Sequence, residues 1–152
     1  MYKESDLKII HETELCYERE IRDFEKYWYL GKRFQYIPFA GYVNASFTSE
    51  TLNFNSMGFR GGEFTKKNVL GGIRVGIFGA SGLVGIPAAN DDNNISSYVN
   101  RYFSENNYNA KSLNFGVISA RIGNEFRLIS RVLAEFDIDC IVLLSGFNDG
   151  ST

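Results

Sequence analysis

The sequence predicts an α/β fold built on a parallel sheet, and three apolar runs of β-type residues carry that prediction. The runs are Ile73–Phe78, roughly Ser112–Val117, and Cys140–Leu144, and amphipathic segments separate them. Strands that alternate with helical segments are typical of β–α–β units, whose crossovers are right-handed. We therefore expect the order β–α–β–α–β, with the first strand ending at a glycine-rich turn.

Size and composition fit one globular domain with a soluble surface. The chain has 152 residues, of which 44% are hydrophobic and 22% charged. The formal charge of −2 predicts no nucleic-acid partner, because such partners require a basic patch. No segment approaches the ~18 apolar residues of a membrane span. The charged N-terminus lacks the apolar core of a signal peptide, so a cytoplasmic location is expected.

Three regions are expected along the chain. Residues 1–33 read as an amphipathic helix, residues 34–70 as an extended lead-in of short strands and turns, and residues 71–152 as the α/β unit. The stripe of the first helix that is expected to pack on the domain consists of Tyr17, Ile21, Phe24 and Trp28. In the lead-in, Arg60 is expected either to satisfy loop carbonyls or to bind an anion.

Two helices are predicted between the strands, each with an apolar face toward the sheet. The face of the first consists of Ile95, Tyr98, Val99, Tyr102 and Phe103, and that of the second, which begins near Ser119, of Ile122, Phe126, Ile129, Leu133 and Phe136. The polar run Asn90–Asn94 is expected to cap the first helix. Cys16 and Cys140 are expected to be buried free thiols, and their spacing predicts no metal site.

The turn Gly79-Ala-Ser-Gly-Leu-Val-Gly85 after the first strand is compatible with two chemistries. A serine nucleophile must project from a tight turn toward substrate and backbone N–H donors. A dinucleotide pyrophosphate instead needs glycines that let the backbone approach it at a helix N-terminus.

Three observations count against a Rossmann domain that binds NAD or NADP. Pro87 and five Asn and Asp residues stand where a long helix should continue after Gly85. The second strand ends at Gly116 and not in the acidic residue that binds ribose hydroxyls. Some 72 residues also precede the first strand, Ile73–Phe78, whereas this class of domain usually starts with it. The dinucleotide reading therefore remains the weaker alternative.

Short blocks follow each of the three strands. They are Gly79-Ala-Ser81, Gly116, and Gly146-Phe-Asn148-Asp149. In this order and at these strand ends, they resemble the motif blocks of the SGNH/GDSL hydrolases, as do the lead-in Asn55–Glu63 and the pair Asp91-Asp92. The resemblance covers about residues 35 to 152. It implies a three-layer α/β/α, flavodoxin-like fold and a serine ester hydrolase.

The resemblance also implies the site residues. Ser81 would be the nucleophile, and the oxyanion would be held by the backbone N–H groups of Ser81 and Gly116 and by the side-chain amide of Asn148. The implied substrate is a small-molecule ester, with an acyl group such as acetyl on a carbohydrate or another small alcohol. No cofactor or metal is implied.

One block of the family pattern is not matched. The general base and its orienting carboxylate would come from an Asp-x-x-His block after two further strands, whereas the single histidine of the 152 residues is His11. Asp149 is a poor substitute, because a solvated carboxylate has a pKa of ~3.9. We therefore expect a fold truncated after the third strand and a chain that is incomplete or inactive as an esterase. The alternative is a non-catalytic interaction module that self-associates through the edge of its third strand.

Overall fold

The computed structural model describes residues 18–150, apart from residues 30, 32, 87, 89 and 147. His11, Cys16 and Tyr17 lie outside the described residues, as does the predicted helix before residue 18. The described elements are α1 (18–29), β1 (Phe34–Ile37), β2 (Gly41–Asn44), β3 (Ile73–Gly79), α2 (Ser81–Val84), a 3-10 turn (Asp91–Asn93), α3 (Ile95–Glu105), β4 (Ala110–Gly116), α4 (Ile122–Glu135) and β5 (Cys140–Leu144).

The main sheet has the order β4–β3–β5, and β3 is parallel to both of its neighbours. In this register Phe78 lies beside Phe115, and Gly79 lies between Gly116 and Leu144. The α/β class and the parallel sheet are therefore confirmed. Because the strands are parallel, the chain segments that follow the three strands all lie at the same end of the sheet, where the strands have their carboxyl termini.

One face of the sheet is packed with aromatic side chains. Phe78 and Phe115 are fully buried and stack with their ring centroids 4.8 Å apart. The ring of Phe136 meets Phe115 edge-on at 5.6 Å. The side chains Leu128 and Val132 of α4 complete this core together with residues of the lead-in. This face anchors the strands whose ends carry the candidate site.

The opposite face of β4 is polar, and α3 docks on it through hydrogen bonds. The hydroxyl of Ser112 donates to the Ser96 carbonyl at 2.9 Å, and the Asn100 amide exchanges two bonds with the Ser112 backbone. The predicted apolar face of α3 is therefore wrong: Tyr98 and Tyr102 are more than half exposed. Because this strand face consists of serine and asparagine side chains, the helix face that packs on it is the one that can form hydrogen bonds with them. The predicted cap is confirmed, because the Asn94 side chain accepts from Ser97 N–H.

The predicted apolar faces of α1 and α4 are confirmed in part, because Phe24, Trp28, Ile129 and Phe136 pack against buried apolar residues, but the most buried positions differ from the prediction. In α1 the buried residues are Glu20, Asp23 and Tyr27, whereas Ile21 is exposed. The two carboxylates are buried because the lead-in supplies donors for both. In α4, which begins at Ile122 and not near Ser119, Leu128 and Val132 are buried, while Ile122, Phe126 and Leu133 are exposed. The reason is that α4 packs against β2 as well as β3.

The lead-in forms short strands and turns, as predicted. Strands β1 and β2 are an antiparallel pair, and two isolated bridges link Phe54 to Phe47 and to Arg60. A second apolar cluster joins the lead-in to α1 and α2, and its buried members are Tyr27, Leu52, Phe54, Val84 and Ile118. The lead-in and α1 therefore pack directly against the turn that carries Ser81.

Strand β5 is an edge strand of the main sheet, and all five of its residues are exposed. The expectation that Cys140 is a buried thiol is wrong, because Cys140 is exposed. Continuous apolar strands of this kind are normally covered on both faces. Ile141, Val142, Leu143 and Leu144 are each 38–44% exposed.

Asp23 is expected to make the stability of the fold fall at acidic pH. Burial alone would raise the pKa of its carboxyl, but hydrogen bonds from Lys26, Thr51 and Ser49 outweigh burial and lower the pKa to about 2. A depressed pKa stabilises the folded state above the unfolded pKa of ~3.9, and this stabilisation of ~2 kcal/mol is lost between about pH 4 and pH 2. Urea unfolding gives the free energy of unfolding of the parent protein and of Asp23→Asn. The parent protein's advantage over the variant should be ~2 kcal/mol smaller at pH 2.5 than at pH 6. An equal difference at both pH values would contradict this assignment.

Candidate active site

Ser81 stands at the start of a one-turn helix directly after the central strand. Strand β3 ends at Gly79, and α2 begins at Ser81 and ends at Val84, followed by the C-cap residue Gly85 with a left-handed φ of 75°. The Gly85 N–H closes the turn by donating to the Ser81 carbonyl at 3.0 Å. A Cβ on Gly79 would lie 2.6 Å from the Leu144 carbonyl oxygen, so glycine is what allows β5 to pass this close. The sharp turn and the close packing thus place Ser81 at the carboxyl end of the central strand.

The geometry of α2 differs from that of a dinucleotide-binding turn. In such a turn the third glycine lies in the first turns of a long helix. Here Gly85 ends a helix of four residues, and the next described helical residues belong to the 3-10 turn at Asp91. The glycine spacing therefore serves to stop a short helix.

The loop after β5 is fixed to the start of α4 by two neighbouring side chains. The side-chain amide of Asn148 donates to the Ala120 carbonyl at 2.8 Å. Both carboxylate oxygens of Asp149 lie 3.2 Å from the Ile122 backbone N–H, at the N-terminus of α4. A carboxylate is a favourable cap there. Asp149 thus has a structural role in this arrangement, and Asn148 is held in a defined place.

Ser81 and Asn148 line the same cleft. Its volume is about 430 Å³, and its other lining residues are Ala80, Gly82, Leu83, Ile86, Ile95, Ala120, Leu144, Ser145 and Gly146. None of these residues carries a charge, and most present apolar atoms. A cleft of this size, with apolar walls and a few polar groups, suits a small neutral ligand.

Gly116 does not join this cleft. Its backbone N–H donates to the side chain of Asn114 at 2.9 Å, and a Cβ at Gly116 would lie 2.8 Å from the Val84 nitrogen. The glycine is therefore needed for the close approach of α2 to β4. The geometry does not support the oxyanion role that the resemblance assigns to Gly116, because Gly116 does not line the cleft and its single N–H already has an acceptor.

Two buried asparagines that sequence reasoning missed hold the segments around the cleft. The Asn114 amide donates to the Leu83 carbonyl at 2.9 Å, which ties α2 to β4. Asn44 is fully buried, and its amide donates to the carbonyls of Gly58 and Gly116 while its oxygen accepts from Ile118 N–H. Asn114 lies between the apolar residues Leu113 and Phe115, and this was the available signal, because a buried asparagine at such a position must find partners.

The turn after β4 carries one further unusual feature. Ser119 has a φ of 61°, a left-handed conformation that residues other than glycine, asparagine and aspartate seldom adopt. It lies between Ile118, which Asn44 holds, and Ala120, which Asn148 holds. The turn is thus fixed on both sides by asparagine side chains.

Comparison with models of known protein families finds none that matches this chain, and comparison with curated proteins finds no significant similarity. Within the described residues, no helix is long and apolar enough to cross a membrane. Over the same part of the chain, no group of three or more His, Cys, Asp and Glu side chains is arranged to hold a metal ion.

Proposed function

We propose that this chain carries the nucleophile and part of the oxyanion site of an SGNH-type serine ester hydrolase. The observation that carries the proposal is the convergence of Ser81 and Asn148 on one apolar cleft at the carboxyl ends of β3 and β5. Two of the three implied site residues thus line one cleft, although 66 positions lie between them in the sequence. The order β4–β3–β5, in which the first strand of the unit is central, also agrees with the start of a flavodoxin-like sheet.

The reaction requires a nucleophile, an oxyanion site and a base. The Ser81 oxygen attacks the ester carbonyl, and the C=O oxygen becomes an oxyanion that the Ser81 backbone N–H and the Asn148 amide stabilise. The base takes the Ser81 hydroxyl proton during the attack and returns it to the alcohol, which leaves as the oxyanion collapses. Water then hydrolyses the acyl-serine. No histidine lies among the described residues, and Asp149 caps α4. We therefore expect the chain on its own to acylate slowly.

The cleft fits the proposed class of substrate. Its side-chain walls are formed by Leu83, Ile86, Ile95 and Leu144, and charged side chains are absent from its described lining. A short acyl chain such as acetyl would contact these walls, with its carbonyl toward Ser81 and Asn148. The alcohol, a carbohydrate hydroxyl or another small alcohol, would leave toward solvent.

A thiol in place of Ser81 tests the proposal without a base, because a thiolate is nucleophilic by itself. With Cys16 and Cys140 changed to serine, Ser81→Cys provides one reactive thiol. Its acetylation by p-nitrophenyl acetate passes through an oxyanion, whereas its alkylation by iodoacetamide does not. The ratio of the two rate constants therefore reports oxyanion stabilisation. We expect this ratio to be about 100-fold higher than that of a free thiol, the effect of one well-placed donor.

The matched reference is Ser104→Cys in the same background, since Ser104 is an exposed residue at the opposite end of α3 from Ile95, the residue of α3 that lines the cleft. Its ratio is expected to equal that of a free thiol. Release of p-nitrophenolate and the mass of the acetylated protein measure the first reaction, and the mass of the alkylated protein measures the second. Equal ratios at positions 81 and 104 would remove the basis of the proposal.

The exposed edge of β5 favours a second candidate function, assembly with another copy of this chain. Strand β5 has a hydrogen-bonded neighbour only on its β3 side among the described strands, so its outer backbone groups are available for pairing. Antiparallel pairing with the β5 of a second copy would keep the Asp139 carboxylates at opposite ends. Parallel pairing would place them side by side. We therefore expect a two-fold symmetric antiparallel pair of β5 strands.

Val142→Lys is expected to weaken this association. Val142 is the central residue of β5, so in a symmetric antiparallel pair it faces its own copy, and two lysines would stand directly opposite each other. Sedimentation velocity over a range of concentrations should show dimer formation by the parent protein and a weakening of ~10-fold or more in the variant. Leu133→Lys is the control, because Leu133 is similarly exposed but lies on α4. A monomeric parent protein would exclude this candidate.

A further inference from the structure

Arg60 contacts the end of α2 that lies away from Ser81, and its side chain is completely buried. Its acceptors are the carboxylates of Glu20 and Asp91 and the backbone carbonyls of Thr51, Val84 and Gly85. Nε donates one of these bonds, and Nη1 and Nη2 donate two each. All five N–H donors of the guanidinium are thus engaged.

The helix that carries Ser81 depends on such external bonds. A single helical turn is unstable in isolation, and the last carbonyls of a helix have no partner within it. Here the Leu83 carbonyl accepts from Asn114, and the carbonyls of Val84 and Gly85 accept from Arg60. Every carbonyl from Leu83 to Gly85 is therefore held by a side chain from another element. The position of Ser81 is imposed from outside α2.

The charge of Arg60 is balanced by residues from two other segments. Glu20 of α1 is also completely buried, lies 2.9 Å from Nη2, and accepts a further bond from Ala88 N–H. Asp91 lies 2.8 Å from Nε, and its second oxygen accepts from the Asn53 amide at 2.6 Å. Burial of a guanidinium requires such paired carboxylates. Helix α1 therefore reaches the serine turn through a buried ion pair.

We propose that Arg60, held by Glu20 and Asp91, is the positioning residue of the serine turn. Helix α1 contributes to the geometry of the candidate active site through Glu20, which pairs with Arg60. The inference rests on the proposed function of Ser81. It assigns no direct contact with substrate to Arg60. The two hydrogen bonds from its Nη1 to the Val84 and Gly85 carbonyls fix α2, and thereby fix where the Ser81 oxygen and backbone N–H lie relative to Asn148.

Arg60→Lys tests the inference, because lysine keeps the positive charge but cannot supply five fixed donors. Arg74→Lys is the matched control. Arg74 is also buried and donates to two loop carbonyls, those of Thr65 and Lys66, but it stands at the opposite end of β3. Both variants are made in the single-thiol Ser81→Cys protein described above.

Hydrogen exchange gives the first readout, since the amides of Leu83, Val84 and Gly85 close α2 by donating to Ala80 and Ser81. In Arg60→Lys we expect their protection relative to the amides of β4 to fall at least about tenfold, the value of one hydrogen bond to a charged group. In Arg74→Lys this relative protection should not change. Equal relative protection in the two variants would overturn the inference.

The ratio of acetylation to alkylation at the introduced thiol of the Ser81→Cys protein gives the second readout. A purely stabilising role for Arg60 would leave this ratio unchanged in the folded protein, whereas loss of positioning lowers it at least about tenfold. If Arg60→Lys does not fold, Glu20→Gln replaces it and is expected to show the same pattern. If the ratio of the Ser81→Cys parent equals that of the Ser104→Cys reference, the proposed function fails, and hydrogen exchange still decides the role of Arg60.

Discussion

Replacement of Gly58 by alanine is expected to lower the free energy of unfolding by about 3–5 kcal/mol, the sum of a left-handed backbone and severe overpacking. Gly58 has a φ of 85°, and a Cβ there would overlap the backbone carbonyl oxygen of Asn44. Neither backbone can move freely, because the Asn44 side chain also holds the Gly58 carbonyl. Thermal and urea unfolding measure the loss, with a decrease in Tm of roughly 10 °C for a chain of this size.

Gly41→Ala separates the two causes. Gly41 has nearly the same φ, 88°, but a Cβ there would meet no atom within 4 Å. It should therefore show the backbone cost alone, about 1–2 kcal/mol. A loss in Gly58→Ala no larger than that in Gly41→Ala would contradict the overpacking argument. Gly58→Ala should also disturb the cleft, because Asn44 holds the turn after β4 through Gly116 and Ile118.

The strands could be predicted from the sequence because their apolar runs are short, separate and bounded by turn residues. The observed Ile73–Gly79 and Cys140–Leu144 agree with the predicted runs to within one residue. The placement of Ser81 followed from the same pattern, since a glycine ends β3 just before it. The local sequence was sufficient to predict an element where its apolar pattern matched both the backbone conformation and the end of the strand.

The helix faces could not be predicted, because polar residues occupy buried positions. Periodicity assigns Glu20 and Asp23 to the solvent, yet Arg60 and Thr51 supply their partners from 28 to 40 positions away in the sequence. The same holds for Ser96, which lies against Ser112. Hydrophobic patterns carry no information about which distant donor meets which acceptor. Long-range polar pairing decides these interfaces.

The assignment of Gly116 illustrates the same limit at the site. A glycine after a strand is compatible with an exposed oxyanion donor and with close helix packing, and the sequence does not distinguish them. In the structure the glycine serves close packing, because Val84 lies against Gly116 and the Gly116 N–H donates to the Asn114 side chain. The proposed oxyanion site therefore contains the Ser81 N–H and Asn148.

Asn148→Ala in the single-thiol Ser81→Cys protein is expected to lower the acetylation rate constant by about 100-fold, the typical effect of removing one oxyanion donor. The rate constant for alkylation by iodoacetamide should stay unchanged, because that displacement forms no oxyanion. Stopped-flow detection of p-nitrophenolate and mass spectrometry provide the two rates. Ser145→Ala is the control, since Ser145 lines the same cleft and is exposed.

Asn148 also anchors its loop on the Ala120 carbonyl, so a general loosening of the loop must be separated from loss of the donor. Loosening would change acetylation and alkylation together and would contradict the oxyanion role. Asn148→Asp sharpens the distinction, because aspartate has nearly the size of asparagine but places a negative charge beside the developing oxyanion. If Asn148 acts as a donor, the ratio of acetylation to alkylation should be lower in the aspartate variant than in the alanine variant. If Asn148 only fixes the loop, the two variants should not differ in this order.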